Sequence, residues 1–289
     1  MPLSDRFSRR APRPLNGQVV AVTGGARGIG LALGHALVDE GARVAIGDVD
    51  HGAVERAAAQ LSGGTIGLPL DVTRRASFAA FLDGAATTLG PVDVLVNNAG
   101  VMSVGPFERE DDAWSERQVA VNLMGVVLGC KLALGPMRER GSGHVVNVAS
   151  VAGKTGVPGE AVYAATKHAV VGLSASLRQE LHGSGVALSS VLPGLADTEL
   201  AAGTKAARGV RTVSPEEVAQ AIVATIRRPR AEVYVPRSYG PMMALTGPLP
   251  ASAREAISRL FGVRQVTAGT SRAQRAAYED RMAGQVGPR

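Results

Sequence analysis

The sequence predicts an α/β fold: a doubly wound parallel sheet of about seven strands over residues 15–236, followed by a helical C-terminal extension over 237–289. Three observations carry that expectation. Short apolar runs alternate with helical patterns from Gln18 to Val235. The runs are nearly continuously apolar, as strands covered on both faces must be. A glycine-rich turn joins the first run to the first helical pattern.

Taken in order, Gln18–Val22 is a first strand that stops at Thr23-Gly-Gly-Ala-Arg-Gly-Ile-Gly30. A helical pattern with Ile29, Leu33, Ala36 and Leu37 on one face ends at Gly41, where a helix closes on a left-handed glycine. Arg43–Gly47 is a second strand running into Asp48, and the three elements with their glycine turn make one βαβ unit. The alternation continues with a helix near 52–61, a strand near 65–70, a helix near 74–89, a strand over Val92–Val96 and one long helix near 111–139. A strand over 144–149, a helix carrying Tyr163 to about 182, and a strand over Val186–Leu192 follow. Ser214-Pro-Glu-Glu217 reads as a capping box with proline at the first helical position, opening a helix to about 227. Glu232–Val235 closes the sheet. No repeat or internal linker divides residues 15–236, so they are one domain.

Composition excludes several function classes. Apolar residues are 45% of 289, enough for a substantial core, and no unbroken apolar run of about 18 residues marks a spanning helix. Met1–Pro14 is basic and proline-containing without an apolar stretch, so a disordered basic arm is expected rather than a secretory signal, and a cytoplasmic protein with it. A pI near 10 invites a nucleic-acid reading. However, residues 1–14 carry four arginines against one aspartate, and residues 237–289 carry eight arginines against three acids. The formal net charge of +6 therefore leaves −2 on the body, and no nucleic-acid partner is expected. Cys130, the single cysteine, excludes an intrachain disulfide and reads as a buried, inert thiol. His35, His51, His144, His168 and His182 show no metal-ligand spacing, so no metal is expected. Neither a G-x-x-x-x-G-K-[ST] phosphate loop nor a G-x-S-x-G elbow is present. Trp114 reads as a packing residue at a helix start.

Gly24, Gly28 and Gly30 give G-x-x-x-G-x-G between a strand and a helix. Glycines there let the backbone approach a pyrophosphate, and the helix N-terminus supplies amides and positive potential. The spacing differs from the better-known G-x-G-x-x-G, and an ordinary glycine turn competes with this reading. Asp48, 18 positions after Gly30 at the end of the second strand, favours the dinucleotide. A carboxylate there accepts from a ribose diol and repels a 2′-phosphate. Val49, Asp50 and His51 bring no arginine or lysine to counter it, so NAD is favoured over NADP. Arg27 is the counterweight, either reaching a 2′-phosphate or standing as a solvated loop charge.

The second motif runs from Ser150 to Lys167. On a helix, Tyr163 and Lys167 lie one turn apart on the same face. A phenol with a pKa of about 10 is a poor base at neutral pH, but a nearby ammonium favours the phenolate and makes Tyr163 a proton-transfer group. Alone, Y-x-x-x-K is an ordinary surface pair. Ser150 ends an apolar strand, where its hydroxyl can orient a substrate oxygen.

In combination, Thr23-Gly-Gly-Ala-Arg-Gly-Ile-Gly30, Asp71-Val72, Asn97-Asn-Ala-Gly100, Asn122, Ser150, Tyr163-x-x-x-Lys167 and Pro193-Gly194 resemble the short-chain dehydrogenase/reductase family, in order and spacing, over about residues 15–236. The resemblance implies a Rossmann-type NAD(P)-binding catalytic domain and an oxidoreductase interconverting a secondary alcohol and a ketone. It implies cofactor binding by Gly24, Arg27, Gly28, Ile29, Gly30 and Asp48. Asp71 would hold the adenine amino group with Val72 beside it, and Asn98, Ala99 and Gly100 would lie under the adenosine ribose. Pro193 and Gly194 would pack along the nicotinamide, with Thr198 at its carboxamide. Among catalytic residues, Asn122 would hold a water linking Lys167 to solvent, Ser150 would orient the substrate carbonyl and Tyr163 would exchange its proton. Lys167 would bind the nicotinamide ribose and lower the phenol pKa, an effect to which the oxidised ring's positive charge adds. A homo-oligomer, dimer or tetramer, is also implied. Plainer readings stand beside two of these: Asn122 capping a helix kink, and Thr198 as a loop hydroxyl.

Leu195–Val213 is small, polar and glycine-containing, and reads as a mobile lid over the substrate. Met102, Val104, Phe107, Val157 and Val162 are candidate lining for an apolar small-molecule alcohol or ketone. Pro236–Pro250 is rich in proline, glycine and methionine. Ala253, Ala256, Ile257, Leu260 and Phe261 then predict an amphipathic helix with Arg254 and Arg259 outward, and a second short helix spans about 271–283. The tail packs on its own domain or a neighbouring subunit, covers an apolar site, or adsorbs peripherally to an anionic membrane. Alternative functions are an NADP-dependent carbonyl reductase, a non-catalytic dinucleotide-binding regulator, and epimerisation or dehydration on the same fold. The intact Ser150, Tyr163 and Lys167 argue against the regulator.

Overall fold

The computed structural model describes residues 12–204 and 211–260, together with residues 262, 275, 278, 279 and 281. Seven parallel strands form one sheet: β1 (Val19–Thr23), β2 (Arg43–Asp48), β3 (Ile66–Pro69), β4 (Val94–Asn97), β5 (Gly143–Val148), β6 (Val186–Pro193) and β7 (Glu232–Val235). Their order is β3-β2-β1-β4-β5-β6-β7. The chain reverses its direction of travel between β1 and β4, and in open α/β sheets ligands bind in the crevice at that switch point.

Successive side chains of a strand face opposite sides, so each strand feeds two cores. Val20, Val22, Val44 and Ile46 face α1 (Gly28–Asp39), α2 (His51–Leu61) and α7 (Pro215–Arg227). Val19, Ala21, Ala45 and Leu95 face α3 (Arg75–Leu89), α5 (Gly125–Glu139) and α6 (Ala161–Glu180). This is why the strands read as unbroken apolar runs. Gly41 closes α1 at φ 77°, a conformation open to glycine. At the start of α7, the Glu217 amide donates to Ser214 Oγ, and the Ser214 amide donates to Glu217 Oε2, both at 3.2 Å.

Two elements depart from expectation. The long helix near 111–139 is broken into α4 (Asp112–Gln118), a π-helical turn over Val119–Met124, and α5. The cause is tertiary: Asn122, fully buried in that turn, exchanges two hydrogen bonds of 2.8 Å with the backbone of Val101. By length and composition Asp112–Glu139 would pass for a membrane span, yet its Val126, Cys130, Ala133 and Met137 pack on the sheet. The proline-, glycine- and methionine-rich stretch between Pro236 and Pro250, for which no element was expected, contains α8 (Tyr239–Thr246), anchored by Tyr239 against Gly194. α9 (Ala251–Leu260) spans the expected amphipathic helix except Phe261, which lies outside the described residues; it buries no residue, Leu260 is 78% exposed, and Arg254 and Arg259 border the cleft. Of the second tail helix, residues 275, 278, 279 and 281 are helical, and the remainder lies outside the described residues, as do 1–11 of the basic arm. Arg13 is not loose: its amide donates to the Arg227 carbonyl at 2.9 Å.

Candidate active site

A cleft of about 2460 Å³ runs across the carboxyl ends of the strands, from Asp48 at one end to Tyr163 and the tail at the other. The glycine loop forms one wall. A Cβ on Gly30 would sit 2.0 Å from the Gly24 carbonyl oxygen, and one on Gly24 would sit 2.8 Å from Ala99 Cα, so these two glycines permit close backbone packing. Gly28 is different. It holds φ 53°, and a Cβ there would meet only the Thr198 side chain, at 3.5 Å. Ile29 and Gly28 line the cleft, and no side chain caps the first turn of α1. Its amides and positive dipole end are therefore available to a phosphate group.

The loop is pinned from below. Thr23 Oγ1 accepts from the amides of Asn98 and Ala99, each at 3.0 Å, and Asn98 Nδ2 donates to the carbonyls of Thr23 and Gly24. Asp48 accepts from the Ala26 and Asp50 amides at 3.2 and 3.1 Å, while burial raises its pKa above the ordinary carboxylate value. Arg27 does not project alone into solvent. It pairs with Asp50 at 2.7 Å and approaches Glu199 to 3.8 Å. Asp71 spends one oxygen on the amide and hydroxyl of Thr73, and the buried Val72 packs beside Gly125. Pro193 ends β6, and the Gly194 amide donates to Val235 at 2.7 Å. Every residue expected to bind the cofactor except Gly30 lines the cleft, and Thr23, Ala26 and Asp50 brace residues that do. The switch point, the uncapped helix and an acidic group at the end of β2 together fit a nicotinamide dinucleotide.

At the other end, Ser150 follows β5, and Tyr163 and Lys167 project from the first turns of α6, all three buried. Lys167 Nζ donates to the Val148 carbonyl at 3.0 Å and lies 5.5 Å from the centre of the Tyr163 ring. Burial lowers the lysine to about 8. Burial, and then the charge of Glu160, push Tyr163 above its ordinary value, with the Ser150 hydroxyl opposing them. The Asn122 side chain is tied to the backbone of Val101 and donates to Thr166 Oγ1 at 3.2 Å. Thr166 in turn donates to the Tyr163 carbonyl at 2.7 Å.

Of the predicted lining, Met102 and Val157 face the cleft and Val104 packs behind them. Phe107 and Val162 do not line it, and Phe107 is 66% exposed on a 3₁₀ turn. Thr198 and Leu200 border the cleft from the lid, where Glu199–Ala201 form one 3₁₀ turn and Ala196 bridges Val213. Three residues were missed. Glu160, 5% exposed, lies one turn before Tyr163, and burial raises its pKa to about 7. The spacing to Tyr163 was a readable signal. Tyr278 lines the cleft from the tail, Arg275 bonds Met102 and Leu200 in its lining, and nothing local in the sequence marks either.

Residues 18–209 match the short chain dehydrogenase family. The chain is 44% identical over 183 residues to 2-(S)-hydroxypropyl-CoM dehydrogenase 3 of Xanthobacter autotrophicus, covering 62% of this chain and 72% of that one. It is 40% identical over 186 residues to a 3-alpha-(or 20-beta)-hydroxysteroid dehydrogenase of Mycobacterium tuberculosis, covering 64% and 72%. A solved short chain dehydrogenase/reductase from Burkholderia phymatum, in complex with NAD, superposes with a TM-score of 0.75 at 26% identity, covering 81% of this chain and 94% of that one. The family match runs through the glycine loop, the π turn and the Ser150–Lys167 segment alike, and the chain belongs to the short-chain dehydrogenase/reductase family of oxidoreductases.

Proposed function

We propose that this chain is an NAD-dependent oxidoreductase interconverting a secondary alcohol and a ketone of largely apolar character. The observation that carries the reading is the convergence of Ser150, Tyr163 and Lys167 at one end of a cleft whose other end is Asp48. When bound, the dinucleotide supplies the site that accepts or gives a hydride. The α1 amides, Asp48 and Lys167 would hold it. Ser150 orients the substrate oxygen, and Tyr163 takes the alcohol proton in oxidation or returns it in reduction. Lys167, anchored on the Val148 carbonyl, keeps an ammonium beside the phenol that opposes the burial and the Glu160 charge raising it. Asn122 acts as a positioning residue, bracing Val101 and, through Thr166, the turn that carries Tyr163.

Two observations support NAD over NADP: the carboxylate of Asp48 where a 2′-phosphate would lie, and the engagement of Arg27 by Asp50. An apolar substrate is supported by the Met102, Val157 and Leu200 lining and by the hydroxysteroid named for one relative. A cytoplasmic setting and an assembly of two or four copies belong to the same reading, the assembly being testable by sedimentation. The direct test is a panel of secondary alcohols, sterols and acyl ketones with NAD and NADP in parallel. Turnover with NAD is expected. Tight NAD binding without turnover across the panel would favour the non-catalytic regulator.

A further inference from the structure

The basic tail carries arginines that charge patterning alone leaves without a role, and two of them meet the lid. Arg275 is 1% exposed, and its guanidinium is spread over both sides of the cleft mouth. Nη1 donates to the carbonyls of Leu200 and Ala202 on the lid, at 3.2 and 3.1 Å. Nη2 donates to the carbonyl of Met102 on the opposite wall, at 2.6 Å. Nε approaches Glu279 at 3.4 Å. Arg281 adds an ion pair to lid residue Glu199 at 2.7 Å. Tyr278 closes the corner: its hydroxyl accepts from the Met102 amide at 3.0 Å, its ring stacks on Trp114 at 6.5 Å between centres, and it lines the cleft that holds Tyr163. Arg275 also stands 4.9 Å from the Tyr278 ring.

We propose that Arg275 is a strap tying the lid to the Met102 wall and that Tyr278 forms part of the substrate pocket, making both specificity-determining residues. A guanidinium cannot shed its proton, so burying it demands acceptors, and here the principal ones are main-chain carbonyls of two segments that must stay apposed. The lid's position is therefore set by a residue distant in sequence. An apolar substrate enclosed by the lid would pack against Tyr278 and Met102. This substrate half rests on the reading of the cleft as an alcohol/ketone site.

The test uses the full chain with Arg275→Met, Arg275→Lys and Tyr278→Phe. Hydrogen exchange is followed at the lid amides of Ala201, Ala202 and Thr204, which are bonded within the lid, and at α6 as a control for folding. In Arg275→Met the lid amides are expected to exchange about tenfold faster or more, with α6 unchanged and Arg275→Lys between the two. For an alcohol that the wild type oxidises, KM should rise about tenfold or more, kcat should change less, and the NAD dissociation constant should hold. Lid exchange and KM equal to wild type in Arg275→Met would overturn the strap. Should that variant lose protection in α6 as well, Tyr278→Phe decides. Faster exchange at the Met102 amide together with a raised KM supports the proposal, and no change in either overturns it. If no alcohol or ketone is turned over, the functional reading fails while the exchange result still judges the strap.

Discussion

Glu160→Gln isolates the most perturbed carboxyl of the site. Glu160 is 5% exposed, faces Tyr163 and Arg275, and is raised from 4.5 to about 7 by burial, with the arginine's charge opposing. The folded chain therefore holds this proton more tightly than the unfolded chain does. The associated stability is fully present below about pH 4.5 and is lost as the pH rises through about 7. Carrying a carboxyl over that interval corresponds to roughly 3 kcal/mol. Glutamine keeps the shape and does not titrate. The stability of the variant relative to wild type should therefore grow by roughly 3 kcal/mol between about pH 4 and pH 8.5, most of it between about 5 and 7. Urea unfolding of both proteins across a pH series, with m-values compared, measures this difference. Because the Glu160 charge also raises Tyr163, the variant's alkaline limb of turnover should move to lower pH. Difference curves that stay flat over the whole range would refute the placement of a carboxyl buried against Tyr163.

Three further predictions concern the rest of the cleft. Asp48→Ala should weaken NAD about tenfold or more and narrow the discrimination against NADP, read by calorimetry with both dinucleotides. Gly30→Ala places a methyl 2.0 Å from the Gly24 carbonyl oxygen. It should cost at least about 2 kcal/mol of stability and abolish dinucleotide binding, as seen by thermal melting and NADH fluorescence. Cys130 is buried and its thiol is pushed up to about 11 by burial. Iodoacetamide should leave it unmodified in the native protein and label it in urea, followed by mass spectrometry.

The sheet was legible because its strands are buried on both faces and its helices alternate with them, so period and length alone separate the elements. The glycine loop was legible for a local reason too, since Gly24, Gly28 and Gly30 act within one strand-to-helix turn. What could not be read depends on partners far along the chain. The break at Val119–Met124 follows from Asn122 bonding Val101, and helical periodicity runs through it unchanged. α8 was obscured by Gly240 and Pro241 at its start, whereas its anchor is Tyr239 lying against Gly194. Tyr163 and Lys167 were correctly paired from spacing. The other influences on the phenol were not legible, because burial and the charge of Glu160, which push it up, depend on packing around α6. The tail's basicity was visible as charge, but the lid carbonyls that Arg275 meets lie 73 and 75 positions away.

The most direct test of the central claim compares Tyr163→Phe with wild type on whichever alcohol or ketone the wild type turns over fastest, with NAD binding measured on both. Removing one hydroxyl that moves the reacting proton should lower kcat by about 10²- to 10⁴-fold. NAD affinity should be unchanged, since the amides of α1 and Asp48 are untouched. Wild-type turnover in the variant, with NAD bound as before, would contradict the assignment of Tyr163 as the acid–base group and with it the mechanism proposed for this cleft.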